Sequence, residues 1–380
     1  MNFYQKQSTR SISEHTTASY GLYVALCLFF VMMLQPGSTA YAQISITSVN
    51  TVYESVSDNS ENYTADGMNY RFNSGSDNNM LILDLGAAGK TFVPAKFADR
   101  IEMQRVSIDG IPDEREIFFY EGVVSETNVN LQPSFLPTME EVLLNPILNR
   151  GVDNIFQNVR DGNGNVNNVM RLDFIFDDGI LIPAGTADAG FTVNERGGND
   201  PIKIAAITSL DASGNPASFG PVVSAVDSEW GPAGFEIKTQ VLRKPDTSSD
   251  AIATADLNPQ RMTGIVFTFQ DLGLSQGDTI YGYSLASGDA PTSSSTWLDV
   301  SQFPPNTDSF NGGLDLIAGG AYFSADPVIV AEDDAYTSSF DTPVAENVNV
   351  NDTFEDGSQF EVENSPLNGS LVLNADGSFT

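Results

Sequence analysis

The chain has 380 residues and a formal net charge of −33, from 17 basic and 50 acidic residues. Such an excess of negative charge argues against nucleic acids and anionic membrane surfaces as partners, because both repel it. Divalent cations remain compatible with the composition, since carboxylate and carbonyl oxygens bind them.

Residues 1–42 have the three parts of a cleavable secretory signal peptide. Lys6 and Arg10 lie in a polar lead, an apolar run extends from Tyr20 to Leu34, and small residues end at Ala42. The apolar run is shorter than the roughly 20 residues that a membrane-spanning helix needs. We therefore expect cleavage after Ala42, an extracellular or cell-surface location and no membrane span in the mature chain. An uncleaved membrane anchor is the alternative.

The leader contains the only cysteine, Cys27, and the only histidine, His15. The mature chain therefore has no disulfide, no cysteine nucleophile, no histidine base and no Cys/His zinc site. It must derive its stability from a buried core, for which its length is ample. The sequence favours a protein that is not an enzyme and requires no cofactor, and its acidic surface can serve solubility alone.

From Gln43 to Ala325, short apolar runs alternate with clusters of Gly, Asn, Asp and Pro, which is typical of an all-β protein. In Ile265–Phe269 and Thr279–Leu285 the side chains alternate with a period of two, which places one set on a core face. Two sheets packed face to face would bury them, as in a jelly-roll or immunoglobulin-like β-sandwich. The candidate strands are Ile44–Val52, Met80–Leu85, Ile101–Ile108, Glu116–Tyr120, Val169–Phe176, Ile202–Leu210, Phe235–Val241, Ile265–Phe269, Thr279–Leu285 and Leu314–Phe323.

One short helix is expected within this region. Thr138–Glu141 is a capping box, and apolar residues follow it at helical spacing. Pro146 should end or kink the helix, so Met139 to about Asn145 forms either a surface helix or a plug across one end of the sandwich.

The region 43–325 is large for a single sandwich, and both one domain and two subdomains are open. With two subdomains, the break falls in Pro183–Gly190 or in Asn194–Pro201, where polar and turn-forming residues accumulate. No internal repeat is evident in this region.

The sequence changes character at Asp326–Pro327, and the region 326–380 resembles the tandem cadherin-like, immunoglobulin-like repeats of large bacterial surface adhesins. The order and spacing of its motifs make the resemblance specific. These motifs are EDDAYT from Glu332, DTPV from Asp341, NDT from Asn351, SPLNGS from Ser365 and NADGSFT from Asn374. The earlier segments MEEVLLNPILNRGVDNIFQN, GFTVNERGGNDPIKIAAITSLDASGNP and DTIYGYSL are similar to uncharacterised regions of such proteins.

The resemblance implies a sandwich whose remaining strands would follow Thr380, so we expect an incomplete cadherin-like domain from a longer protein. It also implies a calcium site, because such repeats bind Ca²⁺ between domains through carboxylates. The matching positions are Asp333, Asp334, Asp352 and Asp356. This sequence departs from the family pattern at Phe354 and Ser358, where carboxylates are usual. Solvated turn aspartates are therefore the alternative.

Two further kinds of site are considered. The only tryptophans, Trp230 and Trp297, lie near turn residues and could contact a carbohydrate ligand, although packing is the alternative. A carboxylate-dependent glycoside hydrolase would need a pair of acids, for which the candidates are Glu114, Glu116, Glu121, Asp177 and Asp178. A calcium loop at Asp161–Asn165 lacks the EF-hand glycine and glutamate, which favours a simple Gly/Asn-rich loop.

The sequence as a whole predicts an exported bacterial surface protein that acts in cell adhesion or extracellular matrix binding. Its partner would be a surface polysaccharide or a protein ligand. The first alternative is a polysaccharide-binding module of a larger surface protein or enzyme, and the second is the glycoside hydrolase.

Overall fold

The computed structural model describes most of the chain after the predicted leader. The described residues are 43–54, 62–65, 68–72, 79–113, 115–121, 123–124, 128–131, 138–160, 166–244 and 252–325, and then 336–337, 342–348, 360, 362, 366, 368–374 and 376–380. Met1–Ala42, which contains the predicted signal peptide, lies outside them, as does the loop Asp161–Asn165.

Strands dominate the described residues, and the protein is all-β, as predicted. In chain order the strands are β1 Ile44–Glu54, β2 Asn62–Ala65, β3 Met68–Phe72, β4 Asn79–Ala87, β5 Lys90–Phe97, β6 Arg100–Arg105, β7 Glu116–Glu121, β8 Val123–Val124, β9 Asn128–Leu131, β10 Arg150–Val152, β11 Val169–Leu181, β12 Ala189–Arg196, β13 Ile202–Leu210, β14 Pro216–Phe219, β15 Val223–Ala225, β16 Gly231–Lys244, β17 Ile252–Thr268, β18 Thr279–Ser287, β19 Leu316–Ile317, β20 Ala321–Ser324, β21 Glu346–Asn347 and β22 Ser378–Phe379. The helices are α1 Met139–Leu143 and α2 Ser309–Gly312, with 3-10 turns at Asp227–Glu229, Ser294–Leu298 and Val300–Gln302.

Ten strands form a closed sheet in the order β1, β17, β16, β7, β10, β19, β12, β20, β5 and β4, with β4 returning to β1. Neighbouring strands in this sheet are antiparallel. Its interior is filled by an inner core of apolar side chains. Representative members of the inner core are Ile46, Ile82, Phe92, Phe119, Val266 and Phe323.

A second sheet, with the order β14, β13, β18, β11 and β6 and with β15 also paired to β13, packs against the closed sheet. The middle core between them takes side chains from both sheets, which is the face-to-face packing of a sandwich. From the closed sheet come Phe118, Val152, Phe191 and Ile265, and from the second sheet come Leu172, Phe174, Ile204 and Leu285. The middle core thus contains residues that precede and residues that follow each of the two segments considered as a subdomain break, Pro183–Gly190 and Asn194–Pro201.

The second sheet is buried on its other face as well. An outer core there consists of Met170, Ala205, Ala286, Ala290, Trp297 and Phe303. The buried Arg171 and Asp173 form an ion pair in this layer, with Nε and Oδ1 2.7 Å apart, and Ser284 donates to Asp173. β11 and β13 of the second sheet are therefore buried along most of their length, because both of their faces are covered.

The predicted helix is present as α1, and its capping box is confirmed. The Glu141 N–H donates to Thr138 Oγ1 at 3.2 Å, and the Thr138 N–H donates to the Glu141 carboxylate at 3.0 Å. Met139, Val142 and Leu143 are buried in the middle core, so the helix plugs the sandwich rather than lying on its surface. It ends at Leu143, ahead of Pro146.

In the described part of 326–380, β21 pairs with β22. Tyr336, from the EDDAYT motif, donates a hydrogen bond to the Asn347 carbonyl at 2.8 Å and packs edge-on against Phe379, with ring centroids 5.0 Å apart. In the NADGSFT motif, Gly377 adopts a positive φ of +82°, which glycine accommodates without strain. Across the described residues, none of the helices has the length and apolar character needed to cross a bilayer.

Candidate functional site

Both tryptophans are interior residues. Trp230 is 7% exposed and belongs to the middle core, and its indole N–H donates to the Asp200 carbonyl at 2.8 Å. Trp297 is fully buried in the outer core and donates to the Pro291 carbonyl at 2.8 Å. Both rings are packed and both N–H groups have partners within the protein, as the packing alternative requires.

The four calcium candidates Asp333, Asp334, Asp352 and Asp356 lie outside the described residues. Within the described ranges, no three Asp, Glu, His or Cys side chains are grouped in a way that could hold a metal ion.

Three of the described hydrolase candidates have separate partners within the protein. Glu116 is buried and accepts a hydrogen bond from the first amide of α1, Met139 N–H, at 2.9 Å, so it stabilises the positive end of that helix. Glu121 accepts from the Asn149 side chain at 3.1 Å, and Asp177 is paired with Arg100 at 3.0 Å. Asp178 is exposed, and Glu114 lies outside the described residues.

A buried charge network lies where β12 ends. The Arg196 guanidinium donates to Asp153 Oδ1 at 2.8 Å, to Asp315 Oδ2 at 3.1 Å and to the Thr239 hydroxyl. It also lies over the Phe119 ring, with Cζ 4.2 Å from the ring centroid. Because Arg196 and both aspartates are almost fully removed from solvent, this is a buried ion network rather than a surface salt bridge.

Glu195, the neighbour of Arg196, is fully buried. Burial raises the pKa of Glu195 well above its usual range, and the nearby carboxyls of Asp200 and Asp315 raise it further. Because burial and the neighbouring carboxyls disfavour the charged form of Glu195, its carboxyl holds a proton more strongly than that of an ordinary glutamate.

We expect the substitution Glu195→Gln to stabilise the protein at pH 8 and to have little effect near pH 4. A raised folded-state pKa means that the folded chain binds more protons than the unfolded chain above about pH 4.3, so stability falls as the pH rises through this window. Glutamine keeps the shape without the charge. In the wild type, this effect should lower the free energy of unfolding by up to about 1.4 kcal/mol per pH unit, and the variant should lack it. Urea unfolding between pH 4 and pH 8 measures the difference.

Asp178→Asn is the matched control, because it makes the same charge change at an exposed site. An identical pH dependence in wild type and Glu195→Gln would contradict the assignment.

A cleft opens on the outer side of the closed sheet, where β4 and β5 separate. These strands pair only over Leu85–Ala87, and nearer its start β4 instead bonds to the segment that follows α1. The Ile82 N–H donates to the Pro146 carbonyl at 2.9 Å, and the Leu148 N–H donates to the Met80 carbonyl at 2.8 Å. The resulting cavity of about 250 Å³ is lined by Asn79, Leu81, Phe97, Arg150 and the segment Asn145–Ile147, and we name it the Arg150 cleft.

Arg150 is the unusual residue of this cleft. It is 6% exposed, yet its Nε and Nη1 have no hydrogen-bond partner among the described residues. Burial lowers its pKa, and the neighbouring Tyr120 partly offsets that effect. A buried cation without a counter-charge among the described residues lowers the stability of the fold.

Apolar side chains continue from the cleft across the outer surface. Leu81 lines the cleft, and it lies in register with Val52 on β1. Leu83, two positions along the same face of β4, is 55% exposed, and Phe97 on the other side of the cleft is 46% exposed. Sequence reasoning missed this surface, which combines exposed apolar side chains with one buried cation.

No protein-family model, curated protein or solved structure matches this chain. The protein is therefore classified from its own structure alone. It is an all-β, sandwich-like protein with an outward-facing cleft that contains a buried arginine.

Proposed function

We propose that this chain is an exported, cell-surface binding protein that acts in adhesion or extracellular matrix binding. The single observation that carries the proposal is the surface at the Arg150 cleft, where the exposed Phe97 side chain and the apolar side chains of β4 lie beside polar groups. Exposed apolar side chains beside a specific polar group are the usual composition of a recognition surface.

Two features of the sequence support an extracellular role. Residues 1–42 have the organisation of a secretory leader, and the region 326–380 resembles the repeats of bacterial surface adhesins. Cleavage after Ala42 would remove both Cys27 and His15 and would leave a chain suited to binding rather than to thiol or imidazole chemistry.

The test is an adhesion assay with the purified exported chain immobilised on beads at physiological salt. We expect the beads to adhere to surfaces coated with extracellular polysaccharides or matrix proteins, and beads carrying another acidic protein not to adhere. Release of reducing sugar without stable adhesion would instead support the glycoside hydrolase. Absence of both would refute the proposal.

The alternative of a polysaccharide-binding module is favoured by the exposed Phe97 ring, since an aromatic face at the edge of a cleft can pack against the apolar face of a sugar. In that case the beads should adhere to polysaccharide and not to matrix proteins.

Calcium binding by Asp333, Asp334, Asp352 and Asp356 is proposed from the resemblance alone. We expect calcium to raise the melting temperature of the exported chain and a chelator to reverse the rise, because an ion bound only by the folded state stabilises it. A melting temperature that is the same with calcium and with chelator would contradict the site.

A further inference from the structure

Three arginine side chains come together beside the start of β7. Arg115 directly precedes β7, and Arg243 lies on β16 opposite Ile117. Because Ile117 is only two positions from Arg115, Arg243 and Arg115 are diagonal neighbours, within reach of each other's long side chains. Arg160 approaches them from the segment that follows β10. We name Arg115, Arg160 and Arg243 the arginine cluster.

The charges of the arginine cluster act on one another. Burial lowers the pKa of Arg115 to about 10, and the guanidiniums of Arg243 and Arg160 lower it further, because like charges disfavour each other. Arg115 still carries its charge near neutral pH. Three mutually repelling cations thus lie together in a chain that has only 17 basic residues against 50 acidic ones.

Within the described part of the chain, no hydrogen bond from a side-chain nitrogen and no ion pair joins the arginine cluster to another residue. The described acids on either side of Arg115 have other partners, since Glu116 accepts from the Met139 N–H and Asp113 accepts from the Asn168 side chain. By contrast, the buried guanidiniums elsewhere in β11 and β12 are paired with aspartates. A group from outside the chain can therefore supply the counter-charge of the arginine cluster.

The arginine cluster combines a buried member with an exposed one. Arg115 is 3% exposed, and its Nε is completely shielded and has no partner. Its terminal nitrogens, Nη1 and Nη2, are not shielded in this way and form no hydrogen bond with a described residue. Arg243 is partly exposed and shows the same pattern, with only Nε shielded, and Arg160 is exposed. A ligand at this surface therefore meets unoccupied terminal N–H donors of more than one guanidinium.

The number of guanidiniums indicates which anion fits best. A single guanidinium binds a carboxylate or a phosphate through two parallel hydrogen bonds. A carboxylate has two oxygens in one plane, whereas a sulfate or phosphate ester group has three terminal oxygens that point in different directions. Only the tetrahedral group can accept hydrogen bonds from several guanidiniums that approach it from different sides.

We infer that the arginine cluster binds a tetrahedral oxyanion, the sulfate or phosphate ester group of a ligand. The site is separate from the Arg150 cleft, because Arg150 lies opposite Tyr120 near the other end of β7. The inference therefore goes beyond the proposed adhesion and does not depend on it.

The net charge of −33 opposes the approach of an anion over long distances, but ions screen this repulsion beyond about 8 Å at physiological salt. Attraction to a partly buried guanidinium is screened much less. Because the rest of the surface repels anions, binding of an anion at physiological salt would identify a specific site rather than a general attraction.

The test compares sugars that share one ring and differ in one substituent. The exported chain is titrated at physiological salt with glucose 6-sulfate, glucose 6-phosphate, glucuronate and glucose. We expect at least one ester to bind about tenfold more tightly than glucuronate, because its additional oxygen accepts further charged hydrogen bonds, and glucose not to bind. The ester that binds more tightly identifies the anion as sulfate or phosphate. Equal affinity for the esters and glucuronate, or no binding of either ester, would overturn the inference.

Variants assign the binding to residues. Arg243→Gln should weaken the preferred ester about tenfold, and Arg160→Gln should weaken it less, because an exposed charge is screened more strongly. Arg100→Gln is the matched control, since it removes a guanidinium that Asp177 and Glu102 already neutralise, and it should bind like the wild type. Wild-type affinity in folded Arg243→Gln and Arg160→Gln variants would refute the role of the arginine cluster.

The buried member is tested by Arg115→Gln, which should abolish binding of the ester. If this variant does not fold, the melting temperature provides a second measurement on Arg243→Gln, which changes a less buried residue. A ligand that binds only the folded state raises the melting temperature, so the preferred ester should raise it in the wild type and much less in Arg243→Gln. An equal rise in both proteins would place the anion elsewhere and overturn the inference.

Discussion

Replacing Phe191 with alanine is expected to lower the free energy of unfolding by about 3–5 kcal/mol. Phe191 is fully buried in the middle core, and its ring centroid lies 4.4 Å from that of Tyr283 and 5.5 Å from that of Phe269. The truncation leaves a cavity between two sheets whose hydrogen-bonded strands cannot close over it. Urea unfolding followed by tryptophan fluorescence measures the loss, since Trp230 belongs to the same core.

Phe310→Ala provides the matched comparison, because it makes the same chemical change at a side chain that is 68% exposed. Its effect should stay within about 0.5 kcal/mol. If both variants lost the same free energy of unfolding, the middle core would not be the principal source of the protein's stability.

The second large effect is expected from Arg196→Met, which should destabilise the protein by about 3–5 kcal/mol. The substitution keeps the aliphatic length but leaves the buried carboxylates of Asp153 and Asp315 without their cation. The loss should shrink as the pH falls, because burial raises the pKa of Asp315 to about 8 and protonation of that carboxyl removes part of the uncompensated charge. Urea unfolding at pH 8 and at pH 5 measures both the loss and its pH dependence.

Arg100→Met is the corresponding surface variant. Arg100 pairs with Asp177 and Glu102 on partly exposed side chains, and such pairs contribute at most about 1 kcal/mol. A loss at Arg100 as large as the loss at Arg196 would show that burial does not decide the strength of these ion pairs.

The all-β class was predictable because turn-forming clusters divide the sequence into strand-length apolar runs. Ile202–Leu210 coincides with β13, and Ile265–Phe269 lies almost wholly in β17. In β17 both faces are buried, with Ile265 and Phe267 in the middle core and Val266 in the inner core. Alternation along a sequence shows that two faces exist, but only the packing shows what covers the second one.

The regular alternation predicted for Thr279–Leu285 is interrupted in the structure. Ile280 and Tyr283 both lie in the middle core, although their spacing would place them on opposite faces of a regular strand. The pairing with β11 shifts at this point, and Gly282 adopts a φ of +121°. A Cβ at Gly282 would lie 1.9 Å from the Phe174 carbonyl oxygen, so this irregularity depends on glycine.

Strand β12 was missed altogether, because Asn194, Glu195 and Arg196 gave its end the composition of a polar boundary. In the structure these residues are buried and pair with β17 and β19. The charge of Arg196 is compensated by Asp153 and Asp315, which are distant in the sequence. Polar composition predicts a loop only where no distant partner is available, and a single sequence does not reveal such partners.

The Arg150 cleft was equally beyond sequence reasoning, since Asn79, Phe97 and Arg150 come from separate strands. One signal was available, because Arg150 stands beside glycine and valine with no acidic residue next to it in a chain rich in acids. The tryptophans attracted attention by residue type alone, and their burial shows the weakness of that criterion.

The closed sheet has a consequence for the order in which the protein matures. Its first strand, β1, bonds to β17, and the sheet is complete only when β20 joins β5. One edge of β1 pairs with the nearby β4, but its other edge waits for β17, which is synthesised more than 200 residues later. Such long-range closure is slow, so if the chain is exported as proposed, it would still be unfolded while it passes through an export channel. The same topology that protects the sheet edges in the finished protein would thus keep the nascent chain in a translocation-competent state.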